Sequence, residues 1–365
     1  MISQNSKYKI ALIGDCLANG GAEKVHALLT VYFHKMGLEV HNCIFVDWIQ
    51  YEYSGSILNL GLVHPNSNPI KRKISRYFKL QQFIKENDFD AIIDFRMRTG
   101  LLQELVISKF CYPKNTFYTV HSGILDFYFP KLSWLSKLTY QNKKVVAVSK
   151  AIQAAIVSKG FAKNVFQIYN PIDLQSIALL KDEYDVSLGK YCMAVGRMNE
   201  DVKQFDQLII AYSKSILPLK KIKLVLLGDG QNLSKYKALA TQLGLKDLVV
   251  FMGFVDNPFP YYQSALFTVI SSKNEGFPNV IIESFSVENP VISFDCFSGP
   301  NEIVVDQQNG LLIPNQDFDK LTEAMNLFIA NDQLRAYCKQ NTKTSLKLFD
   351  IETIGKQWLE LIKIK

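Results

Sequence analysis

The feature that most constrains the fold is a repeated alternation of short β-branched runs with longer helical patterns. The apolar run KIALIG (9–14) is followed by AEKVHALLTVYFHKM (22–36), which has the spacing of a helix, and then by the strand-like EVHNCIFV (39–46). This order predicts a mostly parallel sheet with helices on both faces. Three further strand-like runs continue the pattern, at 90–95, 116–121 and 144–149.

The alternation stops at 170–190 and then starts again. This segment contains Pro171 and a charged stretch of weak periodicity, which predicts a linker. Five more strands are predicted beyond it, at 191–196, 223–230, 248–254, 266–272 and 291–295. The predicted fold is therefore α/β, with two Rossmann-like domains facing each other across a cleft between the carboxyl ends of two sheets. The predicted bounds are 1–170 for the N-terminal domain, 171–190 for the linker, 191–350 for the C-terminal domain, and 351–365 for a helix that packs back on the first domain.

Composition excludes several classes of protein. The six cysteines are scattered and form no Cys-x-x-Cys pair, so neither a zinc finger nor a dithiol redox site is predicted. The first residues lack the apolar stretch of a secretory signal, and no run approaches the length of a membrane span. A cytoplasmic protein is the expectation. The net charge of +7 indicates an anionic partner without identifying it.

Two carboxylates stand out in NEGFPNVIIESF (274–285). Glu275 follows a predicted strand, Pro278 suits the first turn of a helix, and Glu283 falls in the second turn of that helix. A helix N-terminus attracts a diphosphate, and carboxylates accept hydrogen bonds from sugar hydroxyls, so a nucleotide sugar fits this arrangement. The alternative is that both are solvated residues at a helix end.

Two cations follow the first strand of the second half. In AVGRMNEDVKQFDQL, Arg197 comes directly after the strand and Lys203 lies at the start of the next helix. An arginine fork and a lysine point charge at a strand's carboxyl end can hold a diphosphate. The alternative is a surface ion pair with Glu200 or Asp201.

Four segments occur in a characteristic order: GRMNEDVKQFDQLI, LLGDG, NEGFPNVIIES and SGPNEIVVDQQNGLLI. In this order and at these separations they resemble the C-terminal domain of the retaining glycosyltransferases of family 4, which have the GT-B fold. NGGAEKV (19–25) is similar to the family's N-terminal glycine loop. The resemblance covers nearly the whole chain and is strongest from 191 to 315. It implies a UDP-sugar donor, transfer of a hexose or N-acetylhexosamine with retention, and no cofactor. It also implies a saccharide acceptor, carried on a lipid, in the synthesis of bacterial surface glycans such as lipopolysaccharide.

The resemblance also implies roles for individual residues. Arg197 and Lys203 would neutralise the leaving diphosphate. Glu275 would bind hydroxyls of the donor sugar, and Glu283 would bind the ribose. His121 would lie near the transferred sugar, although Ser122 follows it where many members carry an acidic or small residue; a structural histidine is the alternative. Further donor-binding positions are Gly20, Gly21, Phe277, Asn279 and Val280.

A metal site is not expected. DFD occurs twice, but Asp88 and Asp90 precede a strand and so lie at the wrong edge of the sheet, and Asp317 is predicted to cap a helix. Gly228 and Gly230 lack the third glycine of a dinucleotide-binding loop. Arg197, Lys203 and helix N-termini can supply the positive charge that a metal would otherwise provide.

Two other functions compete with glycosyl transfer. A non-catalytic module that binds nucleotide sugars or glycans would share the fold, whereas a nucleic-acid-binding protein is unsupported by any recognition motif.

Two basic and aromatic segments, 68–87 and 127–144, predict helices that lie on an anionic membrane surface. Ordinary packing of these helices on the sheet is the alternative.

Overall fold

The computed structural model describes residues 8–18, 20–199 and 201–363. The chain forms two compact units, Met1–Pro171 together with Ile351–Lys365, and Ile172–Asp350. Among the helices described, none is both long and apolar enough to cross a bilayer.

The first unit is built on a seven-stranded sheet in the order β3-β2-β1-β4-β5-β6-β7, with every neighbouring pair parallel. Its strands are β1 (Lys9–Gly14), β2 (Glu39–Ile44), β3 (Ser56–Asn59), β4 (Ala91–Asp94), β5 (Thr116–Val120), β6 (Lys144–Ala147) and β7 (Asn164–Gln167). Its helices are α1 (Gly21–Lys35), α2 (Pro69–Asn87), α3 (Leu101–Val106), α4 (Ser133–Tyr140), α5 (Lys150–Ser158) and, from the end of the chain, α14 (Ile351–Leu361).

Helix α14 belongs to the first unit because its apolar face is buried there. The Trp358 ring lies 6.3 Å from the Phe117 ring of β5, and Ile354 is fully buried beside it. Gly355 allows α14 to approach α1 closely, since a Cβ at this position would lie 2.1 Å from the Tyr32 ring. An ion pair of 3.3 Å joins Lys35 to Glu352 at the rim.

The second unit repeats the plan with six parallel strands in the order β10-β9-β8-β11-β12-β13. Its strands are β8 (Tyr191–Val195), β9 (Lys223–Leu227), β10 (Val249–Gly253), β11 (Thr268–Ile270), β12 (Val291–Asp295) and β13 (Gly310–Pro314). Its helices are α6 (Leu174–Leu180), α7 (Phe205–Lys214), α8 (Leu233–Gln242), α9 (Phe259–Ser264), α10 (Asn279–Ser286), α11 (Pro300–Ile303), α12 (Phe318–Ala330) and α13 (Asp332–Asn341).

The α/β class and the two parallel sheets are confirmed, with three strands added that the sequence did not predict. β3 and β7 are four-residue edge strands with half-exposed side chains, so they lack the continuous apolar run of a central strand. The third is β13. The segment predicted as a linker contains α6, which begins because the Asp173 side chain accepts hydrogen bonds from the Gln175 and Ser176 amides.

The two Asp-x-Asp sequences have structural roles. Asp90 lies at the amino edge of the first sheet, where its carboxylate accepts a 2.8 Å hydrogen bond from the Lys9 amide. Asp88 ends α2 in a left-handed conformation. Asp317 caps α12 by accepting from the Lys320 amide at 2.9 Å. These positions agree with the sequence prediction.

A stack of three rings lies at the carboxyl edge of the first sheet. The Phe95 ring is 5.1 Å from the His26 ring on one side and 5.4 Å from the His121 ring on the other. Burial lowers the pKa of His26 to about 4, although its Nε2 contacts Asn42 at 3.0 Å. Burial, with help from the charge of Arg98, lowers the pKa of His121 to about 3, and Asn170 opposes this only in part. Both imidazoles are therefore neutral near pH 7.

These two pKa values predict a loss of stability in mild acid. The unfolded chain takes up a proton at each histidine near the ordinary pKa of 6.5, whereas the folded chain does not until the pH is far lower. The free energy of unfolding should thus fall as the pH drops, by about 2 kcal/mol per histidine between about pH 7 and pH 5. Urea unfolding across this range measures the effect. His26→Gln should remove about half of the slope, with exposed His34→Gln as the matched control; an unchanged slope in His26→Gln would contradict the assignment.

Candidate functional site

The second sheet reverses its direction of winding between β8 and β11. These two strands are neighbours, but the chain builds β9 and β10 on one side of them and β12 and β13 on the other. Loops diverge from such a point and leave a crevice at the carboxyl ends of the strands, where open α/β sheets bind ligands. Arg197 and Lys203 lie in the loop after β8, and Glu275 lies in the loop after β11.

The structure brings Lys203 and Glu275 into direct contact across this point. The Lys203 Nζ atom lies 2.6 Å from the Glu275 Oε1 atom, and the two side chains are 23% and 13% exposed. The stem of Lys203 crosses Gly196 so closely that a Cβ there would lie 2.9 Å from the Lys203 Cγ atom. A charge-assisted hydrogen bond therefore joins two loops and fixes the ammonium at the switch point. Arg197 is exposed beside it in the same loop.

The backbone of the Lys203 loop is also held by the β11 loop. The Ser271 hydroxyl donates to the Lys203 carbonyl at 2.7 Å, and the Lys273 amide donates to the Val202 carbonyl at 2.9 Å. Lys203 pairs with Glu275, whereas the Asp201 carboxylate lies 3.8 Å from Lys235. Glu200, the other partner considered, lies outside the described residues.

The Glu275 backbone is clamped by the loop that follows β12. The Glu275 amide donates to the Phe297 carbonyl at 2.7 Å, and the Ser298 amide donates back to the Glu275 carbonyl at 3.1 Å. The Ser298 hydroxyl donates to the Gly276 carbonyl at 2.7 Å. Three loops, after β8, β11 and β12, thus fix the position of this carboxylate.

Helix α10 begins immediately after this clamp. Pro278 is the N-cap residue and its side chain makes no cap hydrogen bond, and the positive end of the helix dipole lies toward the loop. The Asn279 amide donates to the Phe277 carbonyl at 2.9 Å, and the buried Phe277 ring packs on Phe349. Val280 faces a small pocket lined also by Val195, Lys203, Phe205, Val269, Ile270, Ser271 and Ser272.

Glu283 lies in the second turn of α10 and is nearly buried, with 9% exposure. Its Oε2 atom accepts a 3.2 Å hydrogen bond from the hydroxyl of Tyr262, which is fully buried on α9. Burial, and then the charge of Glu283, raises the pKa of Tyr262, so the phenol stays protonated and remains a donor. Neither Glu275 nor Glu283 is a solvated residue at a helix end.

Gly228 and Gly230 allow the loop after β9 to pack closely against the backbone of the loop after β8. A Cβ on Gly228 would lie 2.0 Å from the Gly196 carbonyl oxygen, and one on Gly230 would lie 2.4 Å from the Met198 carbonyl carbon. Both glycines also have positive φ, of 127° and 154°. The Met198 amide donates to the Asp229 carbonyl at 2.8 Å, so the loop after β9 supports the loop that carries Arg197.

In the first unit, the predicted residues lie at the carboxyl edge of the sheet. Gly20 is the N-cap of α1 and Gly21 is its first residue. The space that a Cβ on Gly20 would fill is taken by the Glu23 carboxylate, 1.9 Å away. His121 follows β5 as a neutral ring against Phe95. The sequence correctly placed these residues after β1 and β5.

A buried charge network that the sequence did not predict lies at the same edge. The Arg96 guanidinium makes a bidentate contact with Asp94, at 2.8 and 2.9 Å, and contacts Glu104 at 3.3 Å. These three side chains and that of Arg98 are almost completely buried. The signal was present, because DFRMRTG places two arginines directly after a buried strand.

Arg98 positions the segment that carries His121. Its guanidinium donates to the Thr119 carbonyl at 2.9 Å and to the Tyr128 carbonyl at 3.3 Å, and its backbone amide donates to the Phe127 carbonyl at 2.7 Å. It also lies 5.1 Å from the centre of the Tyr128 ring. Arg98 therefore holds both ends of the loop around His121, and its charge adds to burial in lowering the pKa of that imidazole.

Comparison with known protein families gives two matches that follow each other along the chain. Residues 19–176 match the model described as Glycosyltransferase Family 4. Residues 186–345 match the model described as Glycosyl transferases group 1. The two matches fall on the two structural units.

Several relatives match over most of the chain. One is the N-acetylgalactosamine-N,N'-diacetylbacillosaminyl-diphospho-undecaprenol 4-alpha-N-acetylgalactosaminyltransferase of Campylobacter jejuni, 28% identical over 97% of this chain and 99% of that enzyme. Another is the lipopolysaccharide 1,6-galactosyltransferase of Salmonella typhimurium, 24% identical over 89% of this chain and 90% of that enzyme.

Among solved structures, Anabaena HepE in complex with UDP-glucose superimposes with a TM-score of 0.78 at 20% identity. The match covers 97% of this chain and 99% of that one, which shows a shared GT-B fold. With both family models matched in order and this architecture in each unit, the chain belongs to the glycosyltransferases of family 4, a retaining family that uses nucleotide-sugar donors.

Proposed function

We propose that this enzyme transfers a hexose or N-acetylhexosamine from a UDP-sugar to a saccharide acceptor, with retention at the anomeric carbon. The observation that carries the proposal is the Lys203–Glu275 pair at the switch point of the second sheet, 2.6 Å long and only partly exposed. Arg197 and the N-terminus of α10 lie in the same two loop regions. A dianionic group and a sugar fit this combination of charges.

The proposed mechanism rests on charge that develops as the donor breaks. The bond between the anomeric carbon and the phosphate oxygen breaks, and negative charge accumulates on the departing UDP. Arg197, Lys203 and the α10 N-terminus stabilise this charge. The acceptor hydroxyl forms its new bond on the same face and gives its proton to the departing phosphate, which retains the configuration. These cationic groups make a divalent metal unnecessary in the proposal.

Lys203 can contact Glu275 and a phosphate oxygen at the same time, because an ammonium has three donors. One oxygen of Glu275 would still accept a hydrogen bond from the Lys203 ammonium, and its other oxygen would accept one from a sugar hydroxyl. Glu283 would accept from the ribose while its Oε2 atom stays bonded to Tyr262. Gly20 and Gly21 would let the backbone approach the donor, and His121 would lie near the transferred sugar as a neutral group.

The nature of the acceptor is supported by relatives. The printed name of the Campylobacter relative gives a diphospho-undecaprenol saccharide as its substrate, and that of the Salmonella relative gives lipopolysaccharide. We infer that the acceptor here is a saccharide on a lipid carrier. The enzyme would meet it as a peripheral protein on the anionic inner face of the cytoplasmic membrane, in the synthesis of surface glycans.

A direct test has two stages. Thermal unfolding in the presence of a panel of UDP-sugars identifies the donor, because a ligand at a hundred times its Kd stabilises by about 2.7 kcal/mol. Transfer to lipid-linked saccharides is then measured in EDTA. Binding of UDP-sugar without transfer or donor hydrolysis would favour the alternative, a binding module that has the fold but no activity.

Arg197→Ala and Lys203→Ala should each lower kcat by about a hundredfold or more, since a lost contact to developing charge costs ~3 kcal/mol. Lys235→Ala, another cation of the second unit, is the matched control and should retain its rate. Single-turnover transfer with the identified UDP-sugar measures the effect. Rates near wild type in both folded variants would remove these residues from the mechanism.

Glu275→Gln should reduce kcat more than Glu283→Gln, because Glu275 is proposed to contact the reacting sugar and Glu283 only the ribose. Glu283→Gln should mainly raise the Kd for UDP. Calorimetry with UDP and steady-state transfer separate the two effects. If Glu283→Gln bound UDP normally and alone impaired transfer, the two roles would be reversed.

Gly196→Ala should lower transfer about tenfold without a large loss of stability. Its Cβ would meet the Lys203 stem at 2.9 Å and displace the ammonium, and a small misplacement of a catalytic group is costly. Gly100→Ala is the control, because its nearest contact would be an ordinary 3.6 Å. Full activity in Gly196→Ala would show that the position of Lys203 does not limit the reaction.

A further inference from the structure

Three successive helical segments cover one face of the first sheet. The connections from β3 to β4, from β4 to β5 and from β5 to β6 all run in the same direction along the sheet. Since such crossovers are right-handed, α2, α3 and α4 lie on the same face. Two hydrogen bonds join the segments directly: Gln81 Nε2 to the Phe110 carbonyl at 3.5 Å, and Lys143 Nζ to the Ser108 carbonyl at 2.8 Å.

Helix α2 has apolar side chains on two sides. Leu80 and Ile84 are buried against the unit. Ile70, Ile74 and Phe78 follow one another at intervals of four residues and are 69%, 51% and 60% exposed. These three side chains are exposed, so ordinary packing on the sheet accounts for only part of the apolar content of α2.

The next two segments continue the exposed apolar surface. In the segment from α3 to residue 111, Leu102 is 78% and Phe110 is 65% exposed. On α4, Trp134 is 64% and Leu138 is 63% exposed. We call this surface the apolar platform, defined by Ile74, Phe78, Leu102, Phe110, Trp134 and Leu138. Large apolar side chains gathered in this way on one face mark a binding surface.

The charges around the apolar platform are mostly positive. Helix α2 and segments 101–114 and 131–144 contain twelve Lys and Arg residues and two acids, the exposed Glu86 and the buried Glu104. Their net charge of +10 exceeds the +7 of the whole chain, so the remainder of the chain is net −3. The exposed lysines of the platform segments include Lys71, Lys73, Lys109 and Lys137.

We propose that the apolar platform docks on an anionic lipid bilayer, with its side chains in the acyl boundary and the lysines on the headgroups. Basic residues beside exposed apolar and aromatic side chains fit this partner. A second copy of this chain would bring like charges together. Nucleic acid would leave the Ile, Leu and Phe side chains of the platform without a matching surface.

The position of the platform deepens the proposed function, on which this step rests. A helix that follows a parallel strand begins at the carboxyl edge of the sheet. Leu102 and Trp134, in the first turns of α3 and α4, therefore lie toward the edge that carries Gly20 and His121. A saccharide on a lipid carrier would reach this edge from a membrane held against the platform.

The test is co-sedimentation of the full chain with vesicles of phosphatidylcholine, alone or mixed with phosphatidylglycerol, at rising salt. Each Lys near an anionic surface contributes about fivefold to partitioning. Lys71→Glu with Lys73→Glu and Lys109→Glu should thus reduce binding to the anionic vesicles by at least about tenfold. Phe78→Ser with Trp134→Ser should reduce binding similarly. The matched controls lie in the second unit: Lys220→Glu with Lys246→Glu, and Leu219→Ser, where Leu219 is 86% exposed.

The expected result is binding that requires anionic lipid, weakens with salt and is lost only in the platform variants. Equal binding to both kinds of vesicle, no binding, or equal losses in the controls would overturn the proposal. Donor hydrolysis without vesicles is measured in parallel and should be unchanged in the platform variants. Vesicle binding without any hydrolysis or transfer would reject the proposed function and leave the docking surface in place.

Discussion

Every strand pair in both sheets is parallel, and this constraint determines where the chemistry of the molecule can lie. A parallel pair needs a crossover, so the loop after each strand begins at the same edge of the sheet. Residues remote in sequence then meet without any tight turn between them. Lys203 and Glu275 are 72 positions apart, yet they are in contact because β8 and β11 are neighbours.

The Lys203–Glu275 pair is held by more than its own attraction. Ion pairs at the surface contribute little to folding stability. A partly buried ion pair loses solvation of both ions, so its stability depends on a fixed geometry. Here the geometry is fixed by the backbone: the loops after β8, β11 and β12 are hydrogen-bonded to one another, and Gly196 gives the Lys203 stem its path. The protein's own backbone therefore fixes the position of the ammonium, and the proposed electrostatic stabilisation would need such a fixed charge.

The sequence predicted the structural features that depend on local patterns or on repeated ones. Apolar runs and turn signals placed the central strands, and Asp317 was identified as a helix cap. Contacts were harder: the pairing of Lys203 with Glu275 depends on strand order, which no local pattern contains. The bond of Glu283 to Tyr262 likewise depends on the packing of α10 against α9. The edge strands β3 and β7 were missed because partial exposure removes their apolar signal.

The sequence of helix α2 also leaves open which of its apolar positions contact the sheet. Positions 70, 74 and 78 and positions 80 and 84 each have helical spacing, so the sequence alone could not tell which set contacts the sheet. The structure decides this by burying Leu80 and Ile84.

The contrast between buried and exposed charge in the first unit follows from solvation. Inside, Arg96 and Arg98 are matched by Asp94 and Glu104, since an unpaired ion would be too costly to bury. Outside, on the platform segments, exposed lysines such as Lys71, Lys73 and Lys109 need no buried acid, since water can solvate them. Charge that the fold does not use is available to a partner. The interior network orders the His121 loop, and in the proposed docking the excess positive charge on the surface would supply the attraction for an anionic membrane.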